Sequence, residues 1–485
     1  MSLFQLQFIH RHRIVRLDDV PPQRTLLEVL REDLQACDAK EGCNEGDCGA
    51  CTVVIGEPRD DGIHYKAING CIRMAHSVHG MAIWTAQDLT QADGTPHPVQ
   101  AALRDHHATQ CGFCTPGFAM SLFALYQNKV CPQQAITPET AQHYLSGNLC
   151  RCTGYRPLVD AACSLNDSPV VTPDDVTLRT QLSKIEPRGL SNDNPYLQPH
   201  TLAQLLHLRR IYPQAQLIAG GTDVGLWVTK QHKQWLRIID VTQVRELQNI
   251  DTQTTHVRIG AAVTLEQAWA TLACERPELK RFWHRFAGLP VRNSGTLGGN
   301  IANGSPIGDS MPLLIALHAD VVLAREEAGQ VVERTMPLEH LYTGYRQNCL
   351  LQGEVLAYID VPRPSANEWL RVYKISKRQE DDISAVCLAI QLKRDAQGVV
   401  LDASIGVGGV AATPVRAHQT QACLQGFAWD EARVKVAQQQ LQQEFTPVSD
   451  MRASASYRSQ VLVNLLQRAW YESQDMRCIT LETLA

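Results

Sequence analysis

The sequence predicts an α+β protein built from several domains. Three observations support this fold class. The chain has 485 residues, enough for about three or four domains that each bury a core. Its first third is rich in cysteine, because eleven of the sixteen cysteines lie before residue 164. After residue 200, short apolar segments typical of strands alternate with segments of helical periodicity.

Composition and charge limit the possible classes of function. The net charge is -5 at pH 7 and no long basic run occurs, so we expect no nucleic-acid partner. The N-terminus lacks the continuous apolar run of a signal peptide, and the most apolar later stretch, 311–324, is short and interrupted by His318 and Asp320. We therefore expect a cytoplasmic protein without a membrane span, in which abundant cysteine indicates metal sites more often than disulfides.

Residues 1–90 are predicted to form a small domain of strands and one helix. Residues 3–17 alternate apolar and polar side chains about a charged turn, as in a hairpin. Thr25 and Glu28 form a possible capping box for an amphipathic helix. A glycine-rich loop and two further strands follow. This order suggests a ferredoxin-like, β-grasp fold.

The pattern becomes helical in residues 91–165, which we expect to form a second domain. Pro116 is placed at the first turn of one helix, and Pro138 follows Thr137 at the start of another. Residues 166–195 are rich in Ser, Asp, Asn and Pro without sustained periodicity, and are predicted to be a linker.

The rest of the chain divides into two predicted domains. Residues 196–365 alternate short strands and helices, whereas residues 366–485 carry strands first and helices afterwards. Both segments are therefore expected to be α+β.

Four cysteines of the first domain have the spacing of a plant-type ferredoxin, C-x4-C-x2-C with a fourth cysteine 20 residues on. The set is Cys43, Cys48, Cys51 and Cys71. The glycines between them let the backbone curl tightly around sulfur atoms. A zinc site or a group of free thiols is the alternative, but zinc sites usually pair two C-x2-C knuckles. The motif predicts a [2Fe-2S] cluster and electron transfer.

Four cysteines of the helical domain form a second set, with C-x2-C followed by C-x-C. They are Cys111, Cys114, Cys150 and Cys152. Zinc or a redox disulfide would also suit the first pair, but C-x-C brings two thiolates very close, which suits a two-iron cluster. The first pair begins a probable helix, whose positive end stabilises thiolates. The remaining cysteines show no ligand spacing and are expected to be buried apolar residues.

Two glycine loops in the third domain predict a dinucleotide site. In the first, an apolar strand enters a glycine turn and then a helix, so backbone amides can approach a pyrophosphate. It comprises Leu217, Ile218, Ala219, Gly220, Gly221, Thr222, Asp223 and Val224. The second loop, about 75 residues on, contributes Thr296, Asn300, Asn303 and Asp309. Neither is a P-loop or a G-x-G-x-x-G fingerprint, and either alone would indicate only a structural turn.

Six strings together resemble the molybdenum hydroxylase family, in particular the iron-sulfur and flavin portion of the xanthine dehydrogenases. They are EGCNEGDCGACTV, QCGFCTPG, GNLCRCTGYRP, IAGGTDVGLWV, GTLGGNIANGSPIGD and KRQEDDIS. The resemblance runs nearly end to end. It implies a ferredoxin-like [2Fe-2S] domain, a four-helix [2Fe-2S] domain, a two-part α+β FAD-binding domain and a C-terminal α+β flavoprotein domain, in that order.

The resemblance also implies further site residues. Phe286 would lie near the isoalloxazine of FAD, Asp309 would hold the ribose region, and Leu356 and Lys374 would approach the flavin. Without the resemblance, core packing would explain Phe286 and Leu356, and surface charge would explain Asp309 and Lys374.

Two more positions are implied by the resemblance. Gln110 matches a position beside the molybdenum cofactor, and the charged residues among 378–382 would lie at the flavin edge. Gln379 stands where some relatives have a second arginine, so the nicotinamide contacts are not implied.

The function that the resemblance implies is that of an electron-transfer subunit. The family binds molybdopterin in a separate large domain, so we expect a large molybdenum-binding partner, a heterotetramer of two small and two large subunits, and no catalytic residue for substrate in this chain. Electrons would pass from molybdenum through the second and first clusters to FAD and then NAD, as hypoxanthine and xanthine are oxidised to urate. The alternatives are a relative acting on an aldehyde, carbon monoxide or another N-heterocycle, and a zinc-stapled scaffold that is not an enzyme.

Overall fold

The structure is a computed structural model that describes residues 5–91, 93–191, 193–379 and 381–476. Its first unit is a five-stranded sheet in the order β2-β1-β5-β3-β4, with β1 and β5 parallel. The capping box of Thr25 and Glu28 starts α1 as predicted. The elements are β1 (Leu6–His10), β2 (Arg13–Leu17), α1 (Leu26–Glu28), β3 (Thr52–Arg59), β4 (Gly62–Asn69) and β5 (Ala82–Trp84).

The second unit is helical and shares a hydrophobic core with the first. Trp84 of β5 packs in one buried cluster with Phe118 and Phe123 of α3. Pro116 lies in the first turn of α3, and the Thr137 hydroxyl accepts a hydrogen bond from the Thr140 amide to cap α4. The helices are α2 (Pro98–Asp105), α3 (Thr115–Leu125), α4 (Pro138–Leu145) and α5 (Arg156–Ser164).

The segment predicted to be a linker contains a helix, α6 (Asp175–Leu182), that the sequence pattern did not predict. Leu178 and Leu182 bury its one apolar face in the core shared by the first two units. Three apolar positions in eight residues, one of them the exposed Val176, are too few for a helical period to stand out.

The third unit has two parts, as predicted. One is a parallel sheet in the order β6-β8-β7, and the other an antiparallel sheet in the order β12-β11-β15-β10-β9. The strands are β6 (Tyr196–Leu197), β7 (Gln216–Ile218), β8 (Ile238–Asp240), β9 (Ile250–Thr252), β10 (His256–Gly260), β11 (Asp320–Glu327), β12 (Gln330–Pro337), β13 (Tyr342–Gly344), β14 (Gln347–Asn348) and β15 (Val355–Pro362). The helices are α7 (Leu202–Ile211), α8 (Val224–Thr229), α9 (Leu265–Glu275), α10 (Lys280–Arg285), α11 (Leu289–Ser294), α12 (Leu297–Asn303) and α13 (Ser310–Ala316).

The fourth unit carries strands first and helices afterwards, which confirms the α+β multidomain class. Its sheet packs on α13, and a Cβ on Gly406 would lie 1.9 Å from the Pro312 carbonyl oxygen. The elements are β16 (Glu368–Ile375), β17 (Val386–Arg394), β18 (Val400–Gly408), β19 (Val415–Arg416), α14 (His418–Leu424), α15 (Glu431–Glu444) and α16 (Ala455–Ser473). Among the residues that the structure describes, no helix has the length and apolar character needed to cross a bilayer.

A buried ionic network joins the helical unit to the third unit. Glu266 of α9 accepts hydrogen bonds from His143 of α4 at 2.9 Å, from Arg292 at 2.6 Å and from the Trp283 indole at 2.9 Å. Burial alone would raise the pKa of Glu266, but the His143 hydrogen bond and the Arg292 charge outweigh it and lower the pKa to about 2. The carboxylate is therefore charged and holds the fully buried Arg292.

Replacing Glu266 with glutamine is expected to destabilise the folded chain by about 3–5 kcal/mol, because Arg292 would be left buried without its counter-charge. The folded pKa lies below the ordinary value of 4.5, so this stabilisation is present above pH 4.5 and is lost as the pH falls towards 2. Urea unfolding at pH 7 and pH 4 should show the larger difference between wild type and Glu266→Gln at pH 7. An equal difference at both values would contradict the assigned charge.

Candidate cluster and flavin sites

The first cysteine set comes together from one loop and one strand end. Cys43, Cys48 and Cys51 lie in the loop before β3, and Cys71 follows β4. The thiol of Cys43 contacts those of Cys48 and Cys71, and Cys51 contacts Cys71. Amides of Cys48 and Glu45 donate to the Cys43 sulfur at 3.3 and 3.4 Å. The Cys48 and Cys71 thiols and these amides lower the pKa of Cys43, and the same thiol contacts raise the pKa values of Cys48 and Cys71.

The glycines of this loop are required by close contacts. A Cβ on Gly42 would lie 2.7 Å from the Cys48 sulfur. Gly46 has a φ of +79°, and a Cβ there would lie 2.5 Å from Ile72. The backbone therefore wraps the cysteines as closely as the sequence predicted.

The second cysteine set lies at the starts of two helices. Cys114 caps α3 and contacts Cys150, while Cys111 contacts Cys152. Burial alone would raise the pKa of Cys150, but hydrogen bonds from the Thr153 hydroxyl and amide, at 3.2 and 3.4 Å, lower it. The thiol contacts of the first set run in a chain, Cys48–Cys43–Cys71–Cys51, whereas those of the second set form two pairs. Within the described ranges, no three His, Cys, Asp or Glu side chains form a group that could hold one metal ion.

The other cysteines are only partly as expected. Cys387 is buried, but Cys37 and Cys274 are exposed, so the expectation of burial is wrong for these two. Cys478 lies outside the described residues.

The two cysteine loops touch each other. The Leu149 amide, one residue before Cys150, donates a hydrogen bond to the Cys48 carbonyl oxygen at 3.0 Å. Phe113, between Cys111 and Cys114, comes within 3.6 Å of the position of a Cβ on Gly42. The two cysteine loops are thus in direct contact through residues next to the cysteines.

Most of the predicted flavin residues line one cavity of 660 Å³, a size typical of small-molecule sites. Its walls are the turn after β7, the start of α12 and the segment before β15. The predicted residues that line it are Leu217, Ile218, Ala219, Gly221, Thr222, Asp223, Val224, Thr296, Asn300, Asn303 and Leu356. Segments more than 75 residues apart in sequence therefore form one site.

Four predicted residues do not line this cavity. Gly220, with a φ of +80°, packs on the chain at Ser294, where a Cβ would lie 1.7 Å from the carbonyl oxygen. Phe286 packs with Trp269 and Phe282 in the core. Asp309 and Lys374 form a buried ion pair at 2.7 Å, so neither is a surface charge.

The polar groups of this region fit a dinucleotide. Among the described residues, Asn300 Oδ1 and Asp309 Oδ1 are buried acceptors without a hydrogen-bond partner. Ribose and ribityl hydroxyls could donate to such oxygens. The starts of α8 and α12 lie at the cavity, and the α12 amides of Leu297, Gly298 and Gly299 are bonded within the protein, to the Val263 and Ala261 carbonyl oxygens and the Thr296 hydroxyl. Sequence reasoning missed Arg209 of α7 and the segment 350–354, which line the cavity but lie in no motif.

The first cysteine loop lies directly against the flavin cavity. A Cβ on Gly225 would lie 2.4 Å from the carbonyl oxygen of Ile72, the residue after Cys71. Lys230, just after α8, donates to the Cys43 carbonyl oxygen at 2.6 Å and pairs with Glu45 at 3.4 Å. These contacts leave no intervening layer of protein between the first set and α8.

The loop predicted at the flavin edge also contacts the first cysteine loop. Arg378 pairs with Asp47 at 3.2 Å and donates to the Asp381 carbonyl oxygen at 2.9 Å. Burial and the charge of Asp47 raise the pKa of Asp381 to about 7. Glu380 lies outside the described residues.

Replacing Lys374 with methionine is expected to destabilise the contact between the third and fourth units by about 3–5 kcal/mol, because Asp309 would keep a buried, unpaired charge. The urea midpoint of flavin-free protein measures this. The control is Lys377→Met, because Lys377 is exposed and its ammonium has one hydrogen bond among the described residues, to the Met451 carbonyl oxygen. Unchanged stability of Lys374→Met would show that the ion pair does not hold this contact.

Comparison with known proteins gives the family of each part. Residues 11–71 match the 2Fe-2S iron-sulfur cluster binding domain, and residues 85–163 the [2Fe-2S] binding domain. Residues 188–364 match the FAD binding domain in molybdopterin dehydrogenase. Residues 371–473 match the CO dehydrogenase flavoprotein C-terminal domain.

Similar whole proteins include xanthine dehydrogenases. Those of Drosophila pseudoobscura pseudoobscura and Oryza sativa subsp. japonica are each 32% identical, over 93% and 84% of this chain. The chain spans only 38% and 35% of their lengths.

Similar solved structures include chains of carbon monoxide dehydrogenase from Hydrogenophaga pseudoflava and of quinoline 2-oxidoreductase from Pseudomonas putida 86. They are 26% and 25% identical, with TM-scores of 0.54 and 0.52, and each match covers 58% of this chain and 98% of the other. With two [2Fe-2S]-binding domains followed by an FAD-binding domain and its flavoprotein C-terminal domain, the chain belongs to the molybdenum hydroxylase family.

Proposed function

We propose that this chain is the electron-transfer subunit of a cytoplasmic xanthine dehydrogenase. Electrons from hypoxanthine or xanthine would enter from a molybdopterin-bearing partner, pass the Cys111 set, the Cys43 set and FAD, and leave on NAD. The partner is a large molybdenum-binding subunit, in a heterotetramer of two small and two large chains. The eight cysteines would be the cluster ligands. The residues of the two glycine loops and Leu356 would hold FAD, and Phe286 and the Asp309–Lys374 pair would support this site from outside the cavity.

The observation that carries this proposal is the order in which the sites touch. The exposed Cys111 and Cys152 lie at one end. Leu149 bonds to Cys48 in the middle, and Ile72 packs on Gly225 beside the flavin cavity. A relay needs this linear order, with one end accessible to a partner and the other beside the acceptor.

The cofactors differ in the number of electrons that they transfer at a time. When bound, clusters pass electrons singly, whereas FAD collects two and can exchange a hydride with NAD. The chain's own part is to hold thiolates, exclude water and donate amide hydrogen bonds to sulfur, which tune the potential of a cluster. The amides of Glu45 and Cys48 and the hydroxyl of Thr153 are placed for this role.

The surface at the second cysteine set is suited to a partner. Phe113 is 50% exposed beside Cys111, and Tyr155 is 40% exposed beside Cys152. Gln110 is exposed at the same place. Exposed aromatic side chains at a prospective entry point for electrons support docking of the molybdenum-binding subunit here.

A second candidate is a related enzyme that oxidises carbon monoxide, an aldehyde or another N-heterocycle. The structural similarity to chains of carbon monoxide dehydrogenase and quinoline 2-oxidoreductase favours this class of alternatives. All of these enzymes would use the same electron relay in this chain. Only the identity of the oxidised substrate can therefore distinguish them from a xanthine dehydrogenase.

The test is co-purification from the native host, followed by metal and flavin analysis and by turnover. We expect four irons, four acid-labile sulfides and one FAD per small chain, and NADH formation with hypoxanthine and xanthine. Turnover of carbon monoxide or quinoline alone would favour the second candidate. If the protein contained zinc in place of iron and no FAD, only the zinc-stapled scaffold would remain as an interpretation.

A further inference from the structure

A buried amide side chain lies between the two cysteine loops. Asn148, two residues before Cys150, donates from Nδ2 to the Gly49 carbonyl oxygen at 3.0 Å and to the Thr52 hydroxyl at 3.2 Å. Its Oδ1 accepts a hydrogen bond from the Ser121 hydroxyl of α3 at 2.6 Å. Because the Gly49 carbonyl can only accept, the orientation of the amide is fixed.

Steric contacts make this junction rigid. A Cβ on Gly49 would lie 2.2 Å from the Gly147 carbonyl oxygen, and one on Gly117 would lie 2.3 Å from the Gly49 carbonyl oxygen. Asn148, Ser121 and Thr52 are all buried. Buried polar groups that satisfy one another favour one arrangement, because a displaced group would lose its partner without gaining water.

The same junction contains a bonded path between the sets that includes one hydrogen bond. From the Cys48 sulfur the bonds run through its own carbonyl group, across the hydrogen bond to the Leu149 amide, and along the chain to the Cys150 sulfur. The path crosses one hydrogen bond of 3.0 Å and no gap. Asn148 precedes Leu149 and fixes the peptide that donates this bond.

We propose that Asn148 is a positioning residue that sets the electronic contact between the two clusters by holding the Leu149 amide on the Cys48 carbonyl. This inference rests on the proposed relay. It assigns a role to a side chain that ligates no metal and touches no substrate.

The test compares wild type with Asn148→Ala in the cluster- and flavin-loaded protein. The measurement is the rate at which an electron equilibrates between the clusters after a reducing pulse, with electron paramagnetic resonance to count both clusters and detect their magnetic interaction. We expect both clusters to remain, the interaction to weaken and the rate to fall about tenfold or more, as for other residues that orient metal ligands. Hydrogen exchange of the Leu149 amide should accelerate.

Asn166→Ala is the matched control. Asn166 makes two hydrogen bonds to the Ile136 backbone within the helical unit, at 2.7 and 2.9 Å, and none to a cysteine loop among the described residues. The Asn166→Ala variant should leave the rate of electron equilibration unchanged. This result would separate the positioning effect of Asn148 from a general loss of stability. If Asn148→Ala loses a cluster, Ser121→Ala decides, because it removes only one of the three hydrogen bonds that hold the Asn148 amide.

The inference would be overturned if Asn148→Ala, or Ser121→Ala in its place, kept both clusters and the wild-type rate of electron equilibration between them. Failure of the proposed function has a different signature. In that case unmodified protein would lack iron, or its two clusters would not exchange electrons at all.

Discussion

Cys150→Ser is expected to remove one of the two [2Fe-2S] signals in electron paramagnetic resonance, and Cys43→Ser to remove the other. A serine hydroxyl replaces the thiolate that iron requires, and each set contains four cysteines whose thiols contact others of the same set. Either variant should abolish transfer from substrate to NAD, because the relay is linear. The measurement is the spectrum of dithionite-reduced protein, with iron content falling by about half.

Cys274→Ser is the control for this experiment. Cys274 is an exposed thiol in α9 and belongs to neither set, so both signals should remain. Loss of both signals from a soluble, folded Cys150→Ser protein would count against two separate clusters.

Gly220→Ala is expected to release FAD while the clusters remain. A Cβ there would lie 1.7 Å from the Ser294 carbonyl oxygen, so the glycine loop must move away from the second loop. Overpacking of this kind costs about 1–3 kcal/mol, which corresponds to roughly ten- to hundredfold weaker FAD binding. Flavin fluorescence after gel filtration, with the iron content as reference, measures the effect.

Gly329→Ala separates the steric effect from backbone strain. Gly329 has a φ of +79°, almost the same as Gly220, but no atom lies within 4 Å of the position of its Cβ. The Gly329→Ala variant should lose about 1–2 kcal/mol of stability, because alanine disfavours a positive φ, and should keep its flavin. Equal flavin loss in both variants would mean that the contact with Ser294 does not shape the site.

The cysteine sets could be predicted from sequence because three members of the first set, and each pair of the second, are neighbours in the chain. Short spacing fixes geometry through the backbone alone, as in the loop that holds Cys43 and Cys48. The glycine loops were predicted for a similar reason, since a strand, a turn and a helix start are local features. The capping box at Thr25 belongs to the same class.

Contacts between distant segments left no such local signal. Ile72 packs on Gly225, and Asn148 bonds to Gly49, across 153 and 99 residues. No sequence motif predicts that the two residues of either pair are in contact. Glu266 reads in the sequence as an ordinary first-turn carboxylate of a helix, yet it holds the buried Arg292. Phe286 was expected beside the flavin by resemblance, and the structure packs it among aromatic core residues outside the cavity.

Centrally, we propose that this chain connects NAD to two clusters through FAD. Anaerobic addition of NADH to the cluster- and flavin-loaded protein tests it most directly, because the reverse direction needs neither purine substrate nor molybdenum. We predict that NADH bleaches the flavin absorbance and then produces both cluster signals, to the extent seen with dithionite. Flavin and clusters that dithionite reduces but NADH leaves oxidised would contradict the claim.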